Sequence, residues 1–242
     1  MPIFELSKEI QFPDPELADP SGILAVGGDL SPQRLLLAYR AGIFPWFNDG
    51  DPIVWWSPDP RMILYPKEVR VSQSMKKVLR DKLFRVTFDS DFGAVITNCK
   101  KQPRPGQKGT WITKEMLDAY LQLHEMGYAH SVEVWKENML AGGLYGVSLH
   151  GFFAGESMFS KTSNASKTAF ILLSKTLERL GLGMIDCQLH TPHLSSLGAK
   201  EISRENYLKE LVRCSQQSTL KGNWSKLPVV QEALESVSLM TA

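Results

Sequence analysis

Two carboxylates and a carboxamide stand where apolar strands are expected. The stretch "GESMFS" (155–160) sets Glu156 between a glycine and large apolar residues, and "IDCQ" (185–188) sets Asp186 and Gln188 in a second apolar run. A charge in such a segment must be paired or must face a cavity, because desolvating it alone is costly. On a strand, alternate residues share a face and lie about 6.5–7 Å apart. Asp186 and Gln188 therefore point one way, with Ile185, Cys187 and Leu189 opposite; Glu156 and Met158 share a face against Gly155 and Ser157. If the two strands are neighbours, both polar sets open onto one cleft beside Met158 that could bind and orient a reacting group. The other reading is that Asp186 and Gln188 cap a nearby loop or bond each other in the core.

Other chemistries are less well served by the spacing. Cys187, His190 and His193 have a zinc-like C-x₂-H-x₂-H spacing, but ligands so close together at a strand end converge poorly and no fourth ligand stands out. No metal is expected. Strand alternation sends Cys187 away from Asp186 and Gln188, which makes it a core thiol and not a nucleophile. An acyl-CoA site would place pyrophosphate on backbone amides of a glycine-rich turn before a helix. The turn after Phe159 reads "SKTSNASK", with Lys161, Lys167 and hydroxyls but no glycine. The "GGLYG" at 142–146 lies mid-strand and reads as a bulge or a close approach.

These residues need a scaffold, and the chain reads as α+β. Ser31 or Asp29 starts a helix with Pro32 in its first turn, Leu35, Leu36 and Tyr39 on its apolar face and Gly42 at its end. The proline- and tryptophan-rich stretch 44–61 reads as irregular. "SQSMKKVLRDKLF" is an amphipathic helix with Met75, Val78, Leu79 and Leu83 inward and Lys76, Lys77, Arg80 and Arg85 outward. A short strand, a helix burying Phe92, Val95, Ile96 and Cys99, and a helix from about 114 to 126 stopped at Gly127 follow. Residues 130–160 read as three antiparallel strands turning at Lys136–Asn138 and Ser148–Gly151. A buried helix ending at Gly181, the strand "MIDCQL" and a last helix at "SRENYLKELVRC" complete the pattern. The expected divisions are a small N-terminal domain (1–66), a mixed-sheet domain flanked by helices (67–214) and a polar tail (215–242). The element order resembles the acyltransferase fold of the N-acetyltransferase superfamily, an analogy that assigns no chemistry by itself.

Composition bounds the partners. The 242 residues carry a net charge of +1, so nucleic acid must be met by a local patch. Lys76, Lys77 and Arg80, with Lys100, Lys101, Arg104 and Lys108 before Trp111, are either such a patch or an ordinary solvated face. Three widely spaced cysteines fit a reducing compartment. With no signal-peptide pattern and no run near the ~20 apolar residues of a membrane span, a cytosolic protein is expected.

"GGDLSPQRLLLAYRAGIFPWF", "WWSPDPR", "GTWIT", "HSVEVW", "GGLYGV", "GESMFS", "NASKTA" and "IDCQ…SLGA" occur in order from about Phe4 to about Leu211. Together they resemble the leucyl/phenylalanyl-tRNA–protein transferases. The resemblance implies transfer of leucine or phenylalanine from aminoacyl-tRNA to the N-terminal amine of proteins beginning with Arg or Lys, which marks them for N-end-rule degradation. It implies a bacterial, cytoplasmic enzyme with an acetyltransferase-like domain, acting without acyl-CoA or metal; a monomer is expected. By the same resemblance, Gln188 accepts a hydrogen bond from the attacking amine and Asp186 orients that amide; Glu156 reads as a negative wall that aids binding of the amine or the basic side chain. Trp46 and Trp111 flank the aminoacyl-adenosine end, and Leu144, Phe153, Gly155, Met158 and Ile185 enclose the aminoacyl side chain. Leu144 replaces a methionine common in the family, which leaves the Leu, Phe or Met preference open. The rival expectation is an acetyl-CoA-dependent N-acetyltransferase.

Overall fold

A computed structural model describes residues 3–102 and 111–240, with side chains to residue 236. Two sheets are formed. The smaller has the order β1-β2-β4-β3, from β1 (Phe4–Leu6), β2 (Ile23–Gly27), β3 (Phe44–Pro45) and β4 (Val54–Trp56), with α1 (Pro32–Arg40) between β2 and β3. Ser31 caps α1 through the amide of Arg34, and Leu35, Leu36 and Tyr39 are buried as their spacing requires. Residues 44–61 are less irregular than expected. Trp55 is buried with its indole N–H on the carbonyl of Gly27, which anchors a hairpin that proline content disguises.

The larger sheet has the order β11-β5-β10-β9-β8-β7-β6. Its meander is β6 (Arg85–Phe88), β7 (Ala129–Lys136), β8 (Met139–Leu149) and β9 (Phe152–Ser160), all antiparallel. β10 (Met184–Gln188) joins β9 in parallel, and β5 (Arg61–Leu64) and β11 (Lys200–Ile202) close the edge antiparallel. β5 precedes residue 66, so the larger sheet begins earlier than the expected division. Its four residues are all buried, leaving no alternation to announce a strand. The meander turns fall where expected, with Glu137 and His150 in the left-handed region. In the "GGLYG" run, a Cβ on Gly146 would lie 2.2 Å from the carbonyl of Ala154, so that glycine serves backbone packing and not a ligand.

Helices cover both faces of this sheet. α3 (Phe92–Lys101) and α4 (Lys114–Glu125) pack with α1 in one core, burying Phe92, Val95, Ile96 and Cys99. α2 (Gln73–Arg80) and α5 (Ala165–Arg179) lie in the other. Leu83 is a correction: α2 stops at Arg80, and Leu83 is 45% exposed. The short α6 (Pro192–Ser196) and α7 (Arg204–Cys214) follow β10 and β11. The region after 214 is no detached tail. Trp224 is fully buried against Phe88 and His130, and α8 (Pro228–Met240) packs on α5. An aromatic of that size overrides the polar residues around it.

Candidate active site

β9 and β10 pair only from Phe152 to Ala154 and from Met184 to Asp186. Past these residues the strands part, and a cavity of about 730 Å³ opens between them. Both strands are irregular at this point. On β9, Glu156 is the extra residue of a bulge, since Tyr145 and Gly146 pair with Ser157 and Gly155. On β10, the register with β5 shifts between Asp186 and Gln188, and Gln188 has φ +62°. The alternation expected from the sequence therefore fails here. Asp186 turns into the protein and is 1% exposed, whereas Cys187 and Gln188 both line the cavity. Burial pushes the Cys187 thiol far up, with the Asp186 charge adding to it, so it is a protonated wall residue.

Glu156 sits on the cavity wall and accepts three side-chain hydrogen bonds. Tyr39 Oη (2.7 Å) and Gln188 Nε2 (2.9 Å) donate to Oε1, and Tyr120 Oη (2.8 Å) donates to Oε2. Burial lifts its pKa to about 7 against the opposing effect of these donors. Burial and the Glu156 charge in turn hold both phenols well above their ordinary value. Tying Nε2 to Glu156 fixes the carboxamide of Gln188, a residue of the cavity lining whose carbonyl oxygen can act as an acceptor.

Asp186 has a different partner from the one expected. Arg61 grips it bidentately, Nε to Oδ1 at 2.8 Å and Nη2 to Oδ2 at 2.7 Å, and Tyr207 Oη donates to Oδ2 at 2.8 Å. The guanidinium also donates to the carbonyl of Gly42 and packs over the rings of Phe44 and Tyr207. Burial opposes its charge, but Asp186, with Tyr207 and Glu156 adding to it, more than restores it. Asp186 reaches Gln188 only through the backbone, accepting from its amide at 3.0 Å. The acid that orients the Gln188 side chain is thus Glu156 and not Asp186. Glu156 is correspondingly a hydrogen-bonded hub more than an open negative wall.

Trp46, Trp111, Leu144, Phe153, Gly155, Met158 and Ile185 all line the one cavity. Trp111 is buried and Trp46, at 36%, is exposed. Lys76, Lys77 and Arg80 are brought elsewhere: they are exposed on α2 and outside the cavity wall. Arg104 and Lys108 lie outside the described residues. Cys187, His190 and His193 do not converge. His190 is exposed and contacts Ser195, and no group of metal-ligating side chains forms among the described residues. Sequence reasoning missed Tyr39, Tyr120, Arg61 and Tyr207. Tyr39 and Tyr120 sit at apolar helix positions, so their spacing carries no sign of the hydroxyl's task.

Comparison with known proteins gives the family. Residues 63–212 match the family model described as leucyl/phenylalanyl-tRNA protein transferase, and residues 28–59 match its N-terminal domain. The leucyl/phenylalanyl-tRNA–protein transferase of Syntrophus aciditrophicus is 56% identical over 97% of this chain and 98% of its own length. Proteins of the same name from Anaeromyxobacter sp. (strain Fw109-5) and Flavobacterium johnsoniae are each 53% identical, over 93% and 86% of this chain and 95% and 99% of their own. Among solved structures, a GCN5-related N-acetyltransferase from Kribbella flavida has a TM-score of 0.37 at 7% identity, covering 69% of this chain and 60% of its own. L-PGS from Bacillus licheniformis has 0.39 at 10%, covering 90% and 73%. Both scores are too low to equate folds. The chain belongs to the leucyl/phenylalanyl-tRNA protein transferase family.

Proposed function

We propose that the protein moves leucine or phenylalanine, and also methionine, from aminoacyl-tRNA to the N-terminal amine of proteins beginning with Arg or Lys. The observation that carries this reading is the Glu156–Gln188 pair on the wall of a cavity otherwise lined mainly by apolar and aromatic side chains. An aminoacyl ester on ribose is already activated, so an enzyme nucleophile is not required. An α-amine has a pKa near 7.7–8.0, so a fair fraction is neutral at cellular pH. Alignment of amine and carbonyl can then supply up to about 7–11 kcal/mol of barrier reduction. The free carbonyl oxygen of Gln188 accepts one amine N–H and aims the lone pair at the ester carbon. The nitrogen bonds to that carbon and the ribose oxygen leaves.

Leu144, Phe153, Gly155, Met158 and Ile185 form the wall for the aminoacyl side chain in this reading, and Trp46 and Trp111 hold the terminal adenosine. An apolar wall discriminates a methylene by only about 1–3 kcal/mol, which is why methionine is included. Lys76, Lys77 and Arg80 track the RNA backbone, so binding weakens as salt rises. The enzyme works as a monomer in the cytoplasm, and its products are marked for N-end-rule degradation. No helix among the described residues is long and apolar enough to cross a membrane. The test is one incubation with labelled leucyl-tRNA, differently labelled acetyl-CoA and a peptide beginning with arginine. Leucine label appearing on the peptide supports the reading; acetyl label alone, or RNA binding with no product, overturns it.

A further inference from the structure

Around Glu156 three oxygen-bearing groups close a triangle. Tyr39 and Tyr120 each contact one carboxylate oxygen, and their hydroxyls contact each other. Each phenol carries one proton. With Glu156 ionised, two protons serve three oxygen–oxygen contacts, and one contact is left without a hydrogen. With Glu156 protonated, three protons serve three contacts in one direction round the ring: Oε2–H to Tyr120, Tyr120 to Tyr39, Tyr39 to Oε1. Gln188 Nε2 donates to Oε1 in either state. The ring therefore has a place for one more proton, at a carboxyl that borders the cavity.

We propose that Glu156 is the group that takes a proton from the acceptor's α-ammonium, with Tyr39 and Tyr120 as positioning residues that set when it does so. This rests on the aminoacyl-transfer reading above. The α-ammonium gives one proton to Glu156, leaving a neutral amine and a carboxylic acid. The amine lone pair forms the C–N bond as the carbonyl carbon releases the ribose oxygen. A second proton leaves the nitrogen and ends on that oxygen, and the third stays on the amide. Glu156 then returns its proton to water, so the products are an amide, an RNA hydroxyl and one released proton. The neighbouring groups are few. Tyr39 comes from α1, Tyr120 from α4, Gln188 and Asp186 from β10, and Arg61 from β5; Tyr145 on β8 stacks edge-on against Tyr120. Arg61 and Asp186 are paired with each other, which leaves Glu156 as the carboxyl able to cycle.

The test follows two signals across pH 5–9: the carboxylic-acid C=O band of the free enzyme in difference infrared spectra, and the single-turnover rate of leucine transfer from pre-charged tRNA to an Arg-peptide. Glu156→Gln assigns the band and should remove both the band and most of the transfer. In the wild type the band should grow as pH falls through about 7. Replacing both phenols by phenylalanine removes two donors to the carboxylate and makes its surroundings more apolar. The band midpoint and the acid limb of the rate should then both rise by about one pH unit. The peptide amine titrates identically in every variant, so only the displacement between variants is read. Should the double variant fold poorly, Tyr39→Phe and Tyr120→Phe singly should move both midpoints the same way by less; mere loss of folded enzyme lowers amplitudes without moving them. Midpoints unmoved in variants that still transfer leucine overturn the inference. A wild type that titrates normally but transfers nothing overturns the transferase reading instead, and this assignment with it.

Discussion

Glu156 is held at its place at a cost that depends on pH. Because burial lifts its pKa from 4.5 to about 7, the folded protein binds this proton more tightly than the unfolded chain does. The favourable contribution of the protonated form is thus complete at low pH and is lost as pH rises through about 7. Glu156→Gln should therefore raise stability at pH 8 by about 1–2 kcal/mol, discounted from the full shift because the side chain borders an open cleft. At pH 5 the two proteins should be nearly equal. Urea midpoints at the two pH values check this; a variant less stable at pH 8 than at pH 5, relative to wild type, would contradict it. The three polar residues of the site were legible in the sequence as charges and amides out of place in apolar strands. Which acid partners the carboxamide was not legible, because that depends on two backbone bulges that local sequence does not mark.

At the scale of elements, Asp186 and Gln188 separate into different kinds of residue. Asp186 is half of a buried ion pair tying β5, β10 and, through Tyr207, α7. Removing one partner leaves an uncompensated buried charge, so Asp186→Ala should cost about 3–5 kcal/mol of stability. Gln188→Ala, at a half-buried position on the cavity, should change stability by less than about 1 kcal/mol. Denaturant titrations of the two variants check the contrast, and equal losses would refute it. Capped, amphipathic helices such as α1 and α2 were legible because Ser31 and Ser72 are followed by regular apolar spacing. β5 was not, since "RMIL" follows a proline-rich run and is buried throughout. Arg61 therefore read as the end of the irregular stretch 44–61, although it neutralises the acid beneath the site.

Across the whole molecule, the site is assembled from distant parts of the chain. The smaller sheet and the residue after it supply Phe44, Pro45 and Trp46 to a cavity opened by β9 and β10, and α1 supplies the Tyr39 hydroxyl to Glu156 on its wall. The far end is locked by Trp224, whose amide donates to Asp89 at 2.7 Å while its ring stacks on His130. Trp224→Ala should cost about 3–5 kcal/mol, seen as a lower melting temperature, although nothing near it in sequence signals a core position. A tail that could be removed without such a loss would contradict this. The most direct measurement is single-turnover transfer from pre-charged leucyl-tRNA to an Arg-peptide by Gln188→Ala, with tRNA binding measured on the same protein. Transfer is expected to fall by about 10²–10³ with binding within a few-fold of wild type. Undiminished transfer, or a loss explained wholly by weaker tRNA binding, would contradict the assignment of the amine to the Glu156–Gln188 pair.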